Sequence, residues 1–166
     1  MKHSQKRICR SVAALIGLCL LATIFLCACD GGNAKDYTIT IKGVELAIGQ
    51  TLDDVNSVYG VPMAYDESAS CGGIPGTDRV YQYPGFTIKT TPATGGKNVI
   101  CMIDLKNDTY GTNEGLFVGS TVASVKETLG KPTSETTTLL VYEAANMKLQ
   151  FGVRDNFVTN IRYLSK

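Results

Sequence analysis

A fourteen-residue pattern occurs twice in this chain, and it limits the folds available more than any other feature. Gly49-Gln50-Thr51-Leu52-Asp53-Asp54-Val55-Asn56-Ser57-Val58-Tyr59-Gly60-Val61-Pro62 returns as Gly119-Ser120-Thr121-Val122-Ala123-Ser124-Val125-Lys126-Glu127-Thr128-Leu129-Gly130-Lys131-Pro132, at a constant offset of 70 residues. Repeated segments are sought first because each copy is one supersecondary unit that needs a neighbour to bury its apolar side. The pattern reads as a short helix with both ends marked. Thr51 and Thr121 suit the N-cap, where a hydroxyl accepts from a free backbone N–H. Asp54 follows Thr51 by three residues, as in a capping box. Leu52, Val55 and Tyr59, and likewise Val122, Val125 and Leu129, fall on one helical stripe. Gly60 and Gly130 suit a positive φ after the last turn, and Pro62 and Pro132 prevent continuation.

The similarity continues past the helix. Tyr83 matches Tyr142, Phe86 and Ile88 match Met147 and Leu149, and Ile100, Ile103 and Leu105 match Val158, Ile161 and Tyr163. The offset falls to 59 at the tyrosine pair, so the first copy carries an insertion of 11 residues, which contains Cys71. Alternating patterns predict strands at 37–41, 79–83, 86–90, 98–105, 138–143, 146–152 and 157–164, and the polar, Gly-rich stretch 66–78 reads as loop. The expected fold class is α+β: two tandem repeats, about 37–109 and 110–166, each a short helix followed by an antiparallel β-meander. Neither half offers both faces of a core, so they are expected to pack as one helix-on-sheet domain.

Ahead of this domain lies a targeting pattern. Lys2, Lys6, Arg7 and Arg10 precede an uncharged, mostly apolar run from Val12 to Leu26, and then comes Leu26-Cys27-Ala28-Cys29. This resembles a bacterial lipoprotein signal peptide, residues 1–28, with cleavage after Ala28 and a diacylglycerol thioether on Cys29. The alternative is an uncleaved anchor, for which the apolar run is short of the roughly 20 residues a spanning helix needs. Residues 29–36 then form a tether. The lipidated chain is expected at the extracytoplasmic face of the cell membrane.

Cleavage changes the chemistry available. Four of the 16 basic residues and none of the 15 acidic ones lie in the leader, so the formal charge falls from +1 to −3. That argues against a nucleic-acid partner, which needs a basic face. The sole histidine, His3, leaves with the leader, and the chain has no tryptophan. Of six cysteines, three lie in the leader and Cys29 takes the lipid. Cys71 and Cys101 remain as one pair in a disulfide-permissive compartment, so a Cys71–Cys101 disulfide is expected.

The Gly-x-Thr-x-x-x-Val-x-x-x-[Tyr/Leu]-Gly-x-Pro pattern, a later tyrosine and an apolar hairpin ending Val-x-x-Ile resemble the tandem repeat of β-lactamase-inhibitor-protein-like domains. They are also similar to the single repeat of outer-membrane-assembly lipoproteins of the SmpA/OmlA type. Ser70-Cys71, Tyr81-Gln82-Tyr83 and Thr112-Asn113-Glu114-Gly115 resemble segments of lipoproteins from Gram-positive gut bacteria. The resemblance covers nearly all of the mature chain and implies the fold more firmly than the function.

Without a histidine, Ser–His and Cys–His nucleophilic sites and imidazole-based metal sites have no basis in the mature chain. Paired carboxylates remain, but Asp53 and Asp54 suit the first turn of a helix, where acidic residues favour the macrodipole. Asp104 and Asp108 flank a strand end and read as a solvated rim. No calcium loop or phosphate loop is present, and Gly72-Gly73 and Gly95-Gly96 lack a strand–helix context. No catalytic residue, metal or cofactor is expected. Tyrosine combines a large ring with a polar tip and suits contact surfaces. Tyr81 and Tyr83 share one strand face, a candidate binding surface if that face is open and core if it meets the helices. The expected function is a membrane-anchored module, not an enzyme, that binds an envelope protein or cell-wall component. The inhibitor resemblance gives the alternative, inhibition of a β-lactamase or penicillin-binding protein. The insertion is expected either to set specificity or to cover a sheet edge.

Overall fold

The computed structural model describes residues 36–52 and 55–166. These belong to one compact unit, Asn33–Lys166. The leader, Cys29, most of the tether, Asp53 and Asp54 lie outside the described residues. Chain order is β1 (Ile39–Ile41), β2 (Val44–Leu46), α1 (Val55–Tyr59), β3 (Ala64–Ala69), β4 (Thr77–Tyr83), β5 (Phe86–Pro92), β6 (Asn98–Leu105), α2 (Val122–Leu129), β7 (Ser134–Glu135), β8 (Leu139–Glu143), β9 (Met147–Arg154) and β10 (Phe157–Ser165).

The expected fold class is corrected here. Strand accounts for 47% and helix for 10% of the fold, which is β-rich rather than two helix-plus-meander repeats. β3 to β10 form a single antiparallel sheet in the order β3-β4-β5-β6-β10-β9-β8-β7, and β1 and β2 form a separate hairpin. The physical reason is twofold. Helices of five and eight residues are too short to stand as a layer of their own. Pairing of β6 with β10, Met102 opposite Leu164 and Leu105 opposite Ile161, joins the strands into one body. The stretch 66–78, expected as loop, supplies most of β3 and the start of β4.

Two rows of apolar side chains run across this sheet on one face. Tyr81, Ile88, Ile103, Tyr163, Leu149 and Tyr142 stand in mutual register, as do Tyr83, Phe86, Leu105, Ile161, Phe151 and Leu140. All but Tyr81, which packs against the core, are buried. Burying such a side chain fully is worth about 1.5–3 kcal/mol, so these rows dominate the stability of the sheet. Ile39, Ile41 and Leu46 of the β1–β2 hairpin, Val55 and Tyr59 of α1 and Val125 of α2 complete the core. The hairpin turns through Lys42 and Gly43, both at positive φ, the backbone that a tight two-residue turn requires.

Each helix start is clipped to a strand. Gly49 N–H donates to Ile100 O and Ile100 N–H to Gln50 O, at 2.8 and 2.9 Å; Gly119 N–H donates to Val158 O and Val158 N–H to Ser120 O, both at 2.8 Å. Thr121 caps α2 by accepting from Ser124 N–H at 3.1 Å. Past the helix ends, Tyr83 Oη donates to Gly60 O and Tyr142 Oη to Gly130 O, each at 3.1 Å. Both glycines hold positive φ, which presents their carbonyls to the tyrosines without a Cβ penalty.

Candidate functional site

The opposite face of the sheet is the surface with the character of a site. Side chains alternate across a strand, so the residues between the core positions point there. One row reads Gln82, Thr87, Asp104, Arg162, Gln150 and Val141; the next reads Val80, Lys89, Met102, Leu164, Lys148 and Glu143. Only Thr87 and Asp104 of these are buried, and the rest are half-buried or exposed. Among the described residues, no helix or strand of the fold packs across this face. Eight strands spaced about 4.8 Å apart make it about 34 Å wide.

Most of its charges are paired within the face. Arg162 Nε donates to Asp104 Oδ1 at 3.3 Å, Lys89 Nζ lies 2.9 Å from Asp78 Oδ2, and Glu143 meets Lys148 and Lys166 at 3.5 and 3.2 Å. The Lys89 ammonium beside Asp78 holds that carboxyl below the usual carboxylate range, and Asp78 in turn raises Lys89. Met102 and Leu164 sit between these pairs as a central apolar strip. Beside Asp104, the Thr87 hydroxyl is 4% exposed and finds no hydrogen-bond partner among the described residues. Leaving a buried hydroxyl unserved costs about 1–3 kcal/mol.

The sequence candidates fall into place unevenly. Tyr83, a candidate for a binding surface if its strand face were open, is core: 4% exposed, stacked on Phe86 at 4.9 Å between ring centroids, and bonded to Gly60. Odd-numbered positions of β4 point to the covered face, which is why. Tyr81 lies on that same face, half-buried at its margin, with its ring 5.1 Å from that of Tyr65. Asp104 belongs to the open face through Arg162, whereas Asp108 stands in the exposed segment after β6. Sequence reading assigned no role to Arg162, Met102 or Leu164. Their signal was present: Met102 and Leu164 are apolar at positions out of phase with the core.

Cys71 is exposed, Cys101 is half-buried, and both are free thiols. Cys101 Sγ donates to Lys89 O at 3.5 Å. Burial pushes the Cys101 thiol up, against the pull of Lys89. The Cys71 loop joins Ala69 of β3 to Thr77 of β4, next to the Asp78–Lys89 pair, and so lies at the margin of the open face.

The chain enters the domain at one end of the sheet. Asp36 accepts from Asn146 N–H and Nδ2 at 2.9 and 3.0 Å, and Lys166 N–H donates to Asn146 O. The pairings Ser165 with Met147, Leu164 with Met102, Asn98 with Pro92 and Thr77 with Ala69 carry that end across the sheet. It therefore also holds the Cys71 loop and the β5–β6 turn. Among the described residues no helix is long and apolar enough to cross a membrane, and no group of three or more His, Cys, Asp or Glu side chains is placed to hold a metal ion. Comparison with protein-family models, curated proteins and solved structures gave no match.

Proposed function

We propose that this chain is a lipid-anchored extracytoplasmic binding module whose partner, an envelope protein or cell-wall component, lies against the open face of the sheet, with no chemical step. The observation that carries this reading is the open face itself. It is a broad, rigid surface with an apolar centre at Met102 and Leu164 and internally paired charges around it. A rigid face whose charges are largely matched loses little conformational entropy on binding. A stable protein interface needs about 800 Å² per partner, which a face of this width supplies. The anchor reading rests on Leu26-Cys27-Ala28-Cys29 after the basic and apolar leader. The seven residues 30–36 reach at most about 25 Å, so in this reading the domain stays close to the membrane.

The Cys71 loop adds a margin to that face. In this reading an extracytoplasmic thiol–disulfide oxidant takes two electrons and two protons from Cys71 and Cys101, joins their sulfurs and fixes the loop over Lys89. Recognition commonly uses loops on a rigid scaffold.

The test compares Met102→Glu and Arg162→Glu, on the open face, with Thr40→Glu on the hairpin. Each full chain is isolated from native membranes after crosslinking, and co-purifying material is identified. Loss of one defined partner in both open-face variants alone supports the reading. Retention of that partner in both sinks it. Cys29→Ser tests the anchor separately, through loss of lipid labelling.

A further inference from the structure

The two edges of the sheet are built differently. β7 is two residues long and is flanked by the Lys126–Glu135 ion pair. β3 is six residues long and every one of them is exposed. Ser70 N–H donates to Gly76 O at 3.0 Å, and this fixes which residues bond inward. Antiparallel pairs alternate between bonded and non-bonded, so Ser68 and Asp66 bond toward β4. Tyr65, Glu67 and Ala69 are left with their N–H and C=O groups pointing away from the sheet. Side chains alternate as well: Tyr65 and Glu67 lie on the covered face and Asp66 and Ser68 on the open one. Glu67 is engaged by Arg79 Nε at 3.0 Å and by the Tyr65 hydroxyl. Asp66 is exposed and has no ion-pair partner among the described residues.

Apolar exposure gathers at the same place. Among the described residues, Val58, Val61, Met63 and Tyr65 are four of the seven large hydrophobic residues that stand exposed, with Val61 at 91% and Met63 at 71%. All four lie within eight residues of chain leading into β3. An exposed six-residue edge beside apolar side chains is a template for strand addition, and Asp66 and Glu67 on it favour a cationic partner.

We propose that the β3 edge receives an extended segment of a partner protein as a ninth strand, with lysine or arginine opposite Asp66 and an apolar side chain against Tyr65 and Met63. The outward N–H and C=O groups of Tyr65, Glu67 and Ala69 supply affinity, and the alternate side chains supply specificity. A second copy of this chain is the wrong occupant. Symmetric antiparallel pairing of two β3 strands about their middle sets Asp66 against Asp66 or Glu67 against Glu67, and like charges directly opposite destabilise a ladder. A lipid surface is also wrong, since Val61 and Met63 lie at the end of the sheet opposite Asp36. That last clause alone rests on the anchored reading; the edge proposal otherwise stands apart from the open face.

The test uses the full chain in detergent with two synthetic peptides, one alternating valine with lysine and one alternating valine with glutamate. The lysine peptide is expected to bind at least about tenfold more tightly and to slow hydrogen exchange at the Tyr65, Glu67 and Ala69 amides. Asp66→Lys is expected to reverse the preference. Glu67→Pro deletes an outward N–H, which an edge strand tolerates, and is expected to weaken binding about tenfold, whereas Glu67→Ala, which keeps the N–H, is not. Equal affinity for the two peptides, binding of neither, or no reversal in Asp66→Lys overturns the proposal. So does full binding by a folded Glu67→Pro chain; if that variant fails to fold, the Asp66→Lys exchange decides.

Discussion

In the first half of the sheet Tyr83 donates to Gly60 O at 3.1 Å, and in the second half Tyr142 donates to Gly130 O at the same distance. The glycine-threonine segments before the two helices are clipped to β6 and β10 by matching backbone bonds. Away from these contacts the halves part. The first carries a six-residue exposed edge strand, the Cys71 loop and a cluster in which Tyr59, Tyr83 and Tyr110 all meet the Phe86 ring. The second ends in a two-residue edge, and there Tyr142 and Phe151 form one edge-to-face contact. Interior contacts that hold a helix end on a strand leave little freedom, because close-packed interiors register even one misplaced methylene. Margins are free to differ, and in this molecule they differ in the first half.

The comparison can be broken most severely in the core. Phe86→Ala and Phe151→Ala occupy the same apolar row in opposite halves, and each is expected to cost about 3–5 kcal/mol. Urea unfolding should show one transition in both variants, since β6 and β10 join the halves; two separate transitions would make the halves independent. The next effect belongs to the first half alone. With the disulfide formed, 29 residues lie between Cys71 and Cys101, and reduction should lower stability by about 3–4 kcal/mol on a chain-entropy account. Alkylation without reduction followed by mass spectrometry would instead find two free thiols if the bond does not form in the exported protein.

Smaller changes sharpen the likeness. Tyr83→Phe and Tyr142→Phe each delete one hydroxyl and should each cost about 0.5–1.5 kcal/mol; a clear inequality would mean that the two clamps are not equivalent. The smallest effect concerns acid. Asp78 titrates below its ordinary value of 3.8 in the fold, chiefly through its hydrogen bond with Lys89. Its contribution is therefore fully present above that value and is lost as pH falls through the lower folded one. Asp78→Asn should flatten the fall in melting temperature between about pH 5 and pH 2. An unchanged slope would show that the pair contributes nothing to acid stability.

Local pattern made some elements legible and hid others for physical reasons. β6 was read at its observed bounds because Ile100, Ile103 and Leu105 carry a core face, and α2 because Thr121 and Gly130 mark its ends. The stretch 66–78 reads as loop although it holds Asp66–Ala69 of β3, because Ala-Tyr-Asp-Glu-Ser-Ala has no apolar alternation: an exposed edge strand buries neither face. The single sheet was missed because β6–β10 pairing joins Met102 to Leu164, a contact that no local window contains. The same distance in sequence hid Arg162 and Asp104 as partners, 58 residues apart. Tyr81 and Tyr83 drew attention as tyrosines, yet the pleat sends both to the covered face. The neighbouring Val80 and Gln82 of β4 reach the open one.

The central claim, that a partner lies against the open face, is tested most directly by photo-crosslinking in intact cells from single positions on the two faces. A photoreactive residue at Gln150 or Gln82 is predicted to capture one defined partner, while the same residue at Thr40 or Glu45 on the β1–β2 hairpin captures none. Capture from the hairpin positions with silence at Gln150 and Gln82 would contradict the account.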